Sequence, residues 1–560
     1  MAAINEMIVA MVPFPDYSHL NNLFDLARFI ASHNIQVHFL CFVDVNRDLE
    51  LRLQGSLGVS NIHFENLLRP SSPTDKVGRD GEPPILMFLE KLTKPINEIC
   101  VQLSTKARKL VIIHDLIMSG QVTDLNTLLN IKSYMFHTGS TFSRYSSLKQ
   151  TIPDIVEDDD DHVKLIKQMQ DEFPLLEPHE KYCFQMELDD DMHYSGEIIN
   201  SYREMEGKYP DLLAKVKGKP LWAFGPFHML LESHSNSSRN ITHHDQCLEF
   251  LDKQDVNSVI FVSFGSTTTL SQEQVNELAL GLEQSNHKFI WVLRKGDNAE
   301  KLEEKDVKIE LPQGFEERVE GRGIMVNWAP QLEILGHSST GGFMSHCGWN
   351  SCIESISMGV PIATWPIHVD QPFNAILVNN LLKIGISVKR WSHRDELIKA
   401  STIEKSVKTL MGTIEGEEMR QRAVELSKKI KNSVSRGGHN EVSVTMVPFL
   451  EYSHLNQLFV LAHFIASHNR PVHLLCLVDQ SQSLKQRVQD GLKLPSEIDD
   501  TGDVDNDLPL IAVLLEKNTG VIRQSLELST NAKRLVIIHA NLMRTLCGGS
   551  EEGRAFVHKR

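Results

Sequence analysis

Cysteine is scarce in this chain of 560 residues: there are eight, with no C-x-x-C pair and no regular spacing. That pattern excludes a disulfide framework and fits buried thiols in a reducing compartment. No secretory leader is expected, because the opening MAAINEMIVAMVPF has neither a basic start nor a long apolar run, and Met7 to Val12 reads as a buried first strand. No apolar stretch approaches the roughly 18 residues needed to cross a bilayer. A cytoplasmic protein is therefore expected, and the N-x-[ST] matches at Asn236 and Asn240 are read as accidental. Basic residues are outnumbered, with 57 Lys and Arg against 73 Asp and Glu and a net charge of -16. General affinity for nucleic acid or an anionic membrane is excluded on that ground. G-x-x-x-x-G-K-[ST], G-x-G-x-x-G, H-E-x-x-H and G-x-S-x-G are all absent, which removes the P-loop, dinucleotide-oxidoreductase, zinc-protease and α/β-hydrolase readings.

What is present alternates between short apolar strands and amphipathic helices, over a length that calls for two or three domains. MIVAMVPF, the helical HLNNLFDLARFIAS and VHFLCFV form one strand-helix-strand unit, with Leu20, Leu23, Phe24, Ala27 and Ile30 at helical spacing. LVIIHD (110 to 115) and SYMFHT (133 to 138) extend the same parallel sheet, while the acidic run 154 to 162 reads as a solvated loop. After KPLWAFGPF the chain turns polar. A second alternating block follows, with strands VIFVSFG, FIWVLR and GIMVNW, and Ser271 with Gln274 forms a capping box for the helix QEQVNELALGLEQS. The predicted organisation is an N-terminal Rossmann-like domain over 1–225, a linker over 226–245 and a second Rossmann-like domain over 246–437.

The last segment, 438–560, repeats the first domain in part. MVPFLEYSHLNQLFVLAHFIASHNRPVHLLCLV (446 to 478) matches residues 11 to 43 at 24 of 33 positions, and 528 to 543 matches 103 to 118 at 10 of 16. His454 stands where the first copy has His19, but Ala540 stands at the place of Asp115, and no second copy of the block 246–437 follows. An incomplete third α/β segment without activity is expected, with 497 to 507 an acidic loop within it.

Several residues invite chemistry. His19 follows the first strand and Asp115 ends another, at the carboxyl ends where ligands bind in open α/β sheets. As neighbours they would make a general base and the carboxylate that holds its tautomer; otherwise His19 is a polar residue at a helix start and Asp115 a cap. The stretch Trp328 to Gln371 contains a strand, a turn at His346-Cys347-Gly348-Trp349 and a helix opening at Asn350, and such a helix start suits an anion, a phosphate above all. Ser351-Cys352-Ile353-Glu354 reads as a capping box, a role that spacing favours for Glu354 over binding ribose hydroxyls. His346 suits a core position or a phosphate donor equally, and Trp328 and Trp349 suit packing or base stacking. His243, His244, Asp245 and Cys247 resemble metal ligands, but Asp245 suits the cap of DQCLEFL, so no metal is expected.

The stretch from Trp328 to Gln371, with WAPQ, HCGWNS, Glu354 and Asp370-Gln371, resembles the signature box of plant family 1 UDP-glycosyltransferases, and GFEERVEG and EGEEMRQRA look most like the zeatin O-glucosyltransferase branch. The likeness runs over about residues 7 to 437. It implies a GT-B fold of two Rossmann-like domains facing across a cleft, an inverting transfer of glucose or xylose from a UDP-sugar to a small hydroxylated acceptor, and no metal or resident cofactor. The acceptor it implies is a zeatin-type cytokinin; a flavonoid or other phenol is the alternative, as is a non-catalytic fused ligand-binding protein. By that resemblance His19 is the base and Asp115 its support. Trp328, Ala329 and Gln331 lie at the uracil, Glu354 at the ribose, and Ser266, His346, Asn350 and Ser351 at the diphosphate. Trp349, Asp370, Gln371 and Thr138 lie at the sugar. A monomer is expected. The family carries Gly before the base histidine where this chain has Ser18, which would be strained in a backbone conformation reserved for Gly.

Overall fold

The computed structural model describes residues 5–53, 59–70, 84–151, 164–165, 172, 194–234, 246–265, 268, 270–293, 310–435, 442–447, 472–476, 511–515 and 534–539. They fall into two compact units, Met1–Lys431 and Asn432–Arg560.

Two parallel sheets make up the first unit. The N-terminal sheet holds β1 (Asn5–Val12), β2 (Gln36–Phe42), β3 (Ile62–Leu67), β4 (Ala107–Asp115), β5 (Ile131–His137), β6 (Glu197–Ile199) and β7 (Leu221–Ala223), in the order β3-β2-β1-β4-β5-β6-β7. Its apolar strand β1 lies inside the sheet, between β2 and β4, because a parallel sheet covered on both faces has no wet side: Ala10, Met11 and Val12 are fully buried. The helix Tyr17–Ser32 turns Leu20, Leu23, Phe24 and Ala27 into that core and packs Ile30 against it.

The second sheet runs β10-β9-β8-β11-β12-β13, from β8 (Val259–Ser263), β9 (Lys288–Val292), β10 (Gly323–Val326), β11 (Thr340–Ser345), β12 (Ile362–Thr364) and β13 (Gly385–Ser387). Alternate residues of β8 serve opposite faces: Ile260 and Val262 join Leu278 and Trp291, while Val259 and Phe261 join Ile290 and Phe343. In both sheets the chain reverses its direction of travel across the sheet between two neighbours, β1/β4 and β8/β11, and each reversal opens a crevice at the strands' carboxyl ends.

Three local expectations need correction. Of the expected linker, residues 226–234 belong to the N-terminal domain, and 235–245 lie outside the described residues: Phe227–His234 is a helix, and Phe227 is buried in the N-terminal core against Phe136, with ring centroids 5.9 Å apart. Ser271 caps the helix Gln272–Ser285 by accepting from the Gln274 amide at 3.2 Å, but the Gln274 side chain does not return to the cap; it bonds both the carbonyl and the amide of Ile398. Residue 18 lies inside the helix Tyr17–Ser32, an ordinary helical backbone that any residue adopts, so the expected strain at this position does not arise.

In the second unit, β14 (Val442–Val447), β15 (Val472–Cys476), β16 (Ile511–Leu515) and β17 (Arg534–His539) pair in parallel in the order β16-β15-β14-β17. The N-terminal sheet begins with the same arrangement, β3-β2-β1-β4.

Candidate active site

β1 and β4 are direct neighbours, paired from Asn5↔Ala107 to Val12↔His114, so the residues that leave their carboxyl ends meet. His19 Nδ1 lies 2.8 Å from Asp115 Oδ2, with the carboxylate 1% exposed and the imidazole still partly open. Asp115 Oδ1 accepts from the Ile117 amide at 2.9 Å, which fixes the carboxylate in place. The helix-cap reading of Asp115 and its role as a partner for His19 therefore both hold, one oxygen for each. Because Asp115 occupies Nδ1 as an acceptor, the neutral ring carries its proton there and presents Nε2 as a base. Burial alone would lower the His19 pKa, but the Asp115 charge and hydrogen bond, with help from Asp16 and Asp370, raise it above the usual imidazole value. Phe14 meets the ring edge-on, and Thr138 Oγ1 approaches the same Nδ1 at 3.4 Å.

On the second sheet, β11 runs through a turn into the helix Trp349–Met358. Gly348 is its cap residue and offers no side chain, so the first-turn amides have no capping side chain from it. The capping box expected of Ser351 and Glu354 is absent because both lie within the helix; Gln331 Nε2 instead donates to Glu354 Oε2 at 2.7 Å and to Ser351 Oγ at 3.1 Å. Burial raises the Glu354 carboxyl to about 7, against the lowering effect of the Gln331 bond.

The turn before this helix is tight. Cys347 adopts φ 66°, a left-handed conformation that costs a non-glycine residue about 1 kcal/mol. A Cβ on Gly265 would come 2.7 Å from His346 Nε2 and one on Gly348 would come 2.6 Å from it, so two glycine backbones close around this imidazole. Burial and the nearby His368 lower the His346 pKa to about 4, which keeps the ring neutral, and its buried Nδ1 has no partner. Trp328, after β10, is 67% exposed and available as a flat surface, with Ala329 packed behind it and Gln331 opening the next helix.

Two of the expected sugar-side residues are occupied otherwise. Trp349 is buried and its indole N–H donates to the Asn200 carbonyl at 2.8 Å, which ties the two sheets' layers together. Gln371 is buried with its Oε1 accepting from the amides of Ile367 and His368, so it braces the loop that carries Asp370. Asp370 itself bonds Asn374 at 2.9 Å, and burial raises its carboxyl pKa.

Ser266, Asn236, Asn240, His243, His244, Asp245, His454, Ala540 and the acidic runs 154–162 and 497–507 lie outside the described residues. Among the described residues no group of three or more His, Cys, Asp and Glu is placed to hold a metal ion, and no helix is long and apolar enough to cross a membrane. Cys41, Cys100, Cys347 and Cys352 are buried free thiols, and Cys247 is buried as well.

The sequence reading missed a set of polar contacts at the junction of the two domains. Asn22 Nδ2 donates to Asn350 Oδ1 at 2.6 Å, Asn200 Nδ2 donates to Asn22 Oδ1 at 2.8 Å, and Ser140 Oγ donates to Asn374 Oδ1 at 2.8 Å. Their separations of 178 to 328 residues leave no local pattern; the only signal is a buried asparagine inside an apolar helical stripe, at Asn22.

Two parallel-sheet Rossmann-like domains, one carrying the His19–Asp115 pair and the other the helix start at Trp349, make up a GT-B fold. A family profile described as "Glycosyltransferase, N-terminal domain" matches residues 5–229, and "UDP-glucoronosyl and UDP-glucosyl transferase" matches 121–415; the chain belongs to this UDP-glycosyltransferase family. Zeatin O-glucosyltransferase of Phaseolus lunatus is 42% identical over 77% of this chain and 94% of its own. Zeatin O-xylosyltransferase of Phaseolus vulgaris is 41% identical over 77% and 95%. The crystal structure of Medicago truncatula UGT71G1 complexed with UDP-glucose superposes with a TM-score of 0.61 at 27% identity, covering 77% of this chain and 95% of that one. The protein is thus a UDP-dependent glycosyltransferase, with a UDP-sugar as co-substrate.

Proposed function

We propose that the enzyme transfers glucose, or xylose, from its UDP-sugar to the side-chain hydroxyl of a zeatin-type cytokinin, with inversion at the anomeric carbon. The observation that carries the reaction is the 2.8 Å contact between His19 and Asp115 at the β1/β4 crevice; the names of the bean relatives support the acceptor. His19 Nε2 takes the acceptor proton as the hydroxyl oxygen attacks the anomeric carbon, the bond to the UDP oxygen breaks, and Asp115 balances the imidazolium. UDP departs toward amides at the helix start, Asn350 and the N–H of a neutral His346, so that its charge is met by donors already in position. Trp328 stacks on uracil with Ala329 and Gln331 beside it, Glu354 holds the ribose, Ser266 and Ser351 support the diphosphate, and Asp370 and Thr138 adjoin the sugar. Trp349 and Gln371 serve this site by holding its walls.

Residues 438–560 are, on this reading, an incomplete and inactive copy of the acceptor-side domain. The sequence matches at 446 to 478 and 528 to 543 and the shared strand order support it. The enzyme acts as a monomer in the reducing cytoplasm, in keeping with its free thiols.

Incubating the full-length protein with UDP-glucose or UDP-xylose and trans-zeatin, then with flavonols and simple phenols, tests the proposal. Conversion of trans-zeatin to its O-glycoside with the highest kcat/KM of the panel is expected. A phenol preferred by tenfold or more would transfer the assignment to phenolic acceptors, and no product from any acceptor would favour an inactive fusion.

Glu354 also makes donor binding depend on pH. An ionised carboxylate accepts from both ribose hydroxyls, whereas the protonated group has one oxygen committed to its own hydrogen. Since its pKa is raised to about 7, uridine affinity should rise about tenfold from pH 6 to pH 8. The dependence should flatten in Glu354→Gln, as read by isothermal titration with uridine, which carries no titrating phosphate.

A further inference from the structure

An aspartate at the cap position of a helix normally turns its carboxylate onto the free amides of the first turn. Asp370 stands at that place before the helix Gln371–Ile376 and makes no such bond. Its carboxylate is bonded instead by its own amide and by the Asn374 side chain, whose Nδ2 donates to Asp370 Oδ2 at 2.9 Å. A carboxylate has about four acceptor positions, so these two bonds leave about two for sugar hydroxyls.

Asn374 can do this only with its amino end toward Asp370, and the two ends of a carboxamide are alike in shape. Its neighbours settle which end is which. Nδ2 also donates to the Cys347 carbonyl at 3.0 Å, a group that only accepts. At the other end Oδ1 accepts from Ser140 Oγ at 2.8 Å. The Ser140 oxygen takes the Ser143 amide at 3.1 Å, so its one hydrogen goes to Asn374. Both hydrogens and the oxygen of the carboxamide are thus engaged, and Asn374 and Ser140 are fully buried. Turned over, the group would set its oxygen against a carbonyl and a carboxylate and leave both without a donor. The loop after β5 lies against the same carboxylate, since a Cβ at Gly139 would stand 3.6 Å from Asp370 Oδ2, and Thr138 on that loop approaches His19.

Resting on the proposed contact between Asp370 and the donor sugar, we infer that Asn374 is a positioning residue: it keeps the Asp370 carboxylate off the helix end and holds it toward the sugar. Removing the carboxamide frees that carboxylate to fold back onto the first-turn amides. The sugar then loses a charged acceptor, while the contacts proposed for uracil and ribose stay as they were.

The test is a double-mutant cycle on the full-length protein, with UDP-glucose and UDP dissociation constants measured by isothermal titration without acceptor. UDP binding reports that each variant keeps a folded donor site, and the ratio of the UDP-glucose constant to the UDP constant reads the sugar. Asn374→Ala is expected to raise that ratio about tenfold with Asp370 present and by less than about twofold in Asp370→Ala. An unchanged ratio with both ligands weakened would assign Asn374 to the turn at Cys347 and overturn the inference, as would an equal rise in both backgrounds. If Asn374→Ala no longer binds UDP, the cycle is decided by Ser140→Ala, which leaves the Asn374 oxygen without its donor. A rise of about threefold that vanishes in Asp370→Ala then supports the inference, and no rise overturns it. Should Asp370→Ala alone leave the ratio unchanged, the sugar contact fails first and the positioning role falls with it.

Discussion

Replacing His19 by alanine is expected to lower kcat by about three orders of magnitude while UDP affinity stays within about twofold of wild type. The separation follows from geometry: His19 sits at the crevice of the first sheet with Asp115, whereas the anion-ready helix start, Glu354 and Trp328 belong to the second. A variant that kept near-normal turnover would remove His19 from the mechanism, and one that lost UDP binding as well would make the residue structural.

Asp115→Asn extends the same prediction with a sign that can be worked out. Only neutral His19 accepts a proton, so kcat/KM falls as pH drops through its pKa in the free enzyme. In the wild type that pKa is raised above the ordinary imidazole value, with the Asp115 charge overcoming the lowering effect of burial. Removing the charge leaves burial in command, so the acid limb should shift to lower pH. The plateau should at the same time fall by about two orders of magnitude, because the imidazolium loses its counter-charge and the ring its fixed tautomer. An unshifted acid limb would show that another group titrates in the profile.

The sequence displayed the skeleton of this fold because the central strands of a covered parallel sheet are continuous apolar runs. Met7 to Val12, VIFVS and GGFMS are of that kind, and every residue of them but the half-buried Met7 is buried. The strands that escaped notice are different. β6, β7, β12 and β13 have three residues each, too short to show a period, and in β3 a buried Ile62 and Leu67 flank the mixed residues HFEN. His19 and Asp115 were legible because one follows an apolar run and the other ends one, places where side chains reach the crevice. Glu354 was misjudged in isolation because S-x-x-E spacing marks a cap only where the serine precedes the first turn, and here the helix begins two residues before Ser351. The bridge from Asn200 through Asn22 to Asn350 leaves no trace in spacing at all, since it exists only once the two domains have met.

Gly265→Ala should be nearly as damaging as loss of the base, although residue 265 offers no functional group. Its φ of +81° lies where an L side chain is strained by about 1–2 kcal/mol. The new methyl would in addition stand 2.7 Å from His346 Nε2 and 2.8 Å from its Cε1. The ring has no easy retreat, because Nε2 is also held close over Gly348, where a Cβ would stand 2.6 Å away. Displacing it moves the neutral imidazole, and with it the N–H that the proposed mechanism assigns to the departing diphosphate. We expect kcat/KM for the UDP-sugar to fall by about two orders of magnitude or more, comparable to removing one donor to a developing negative charge. Uridine binding should change by less than about threefold, since Trp328, Gln331 and Glu354 are untouched. Steady-state kinetics with uridine titration on the same preparation separate the two effects. Near-normal kcat/KM would mean that His346 moves without consequence and takes no part in stabilising UDP as it leaves.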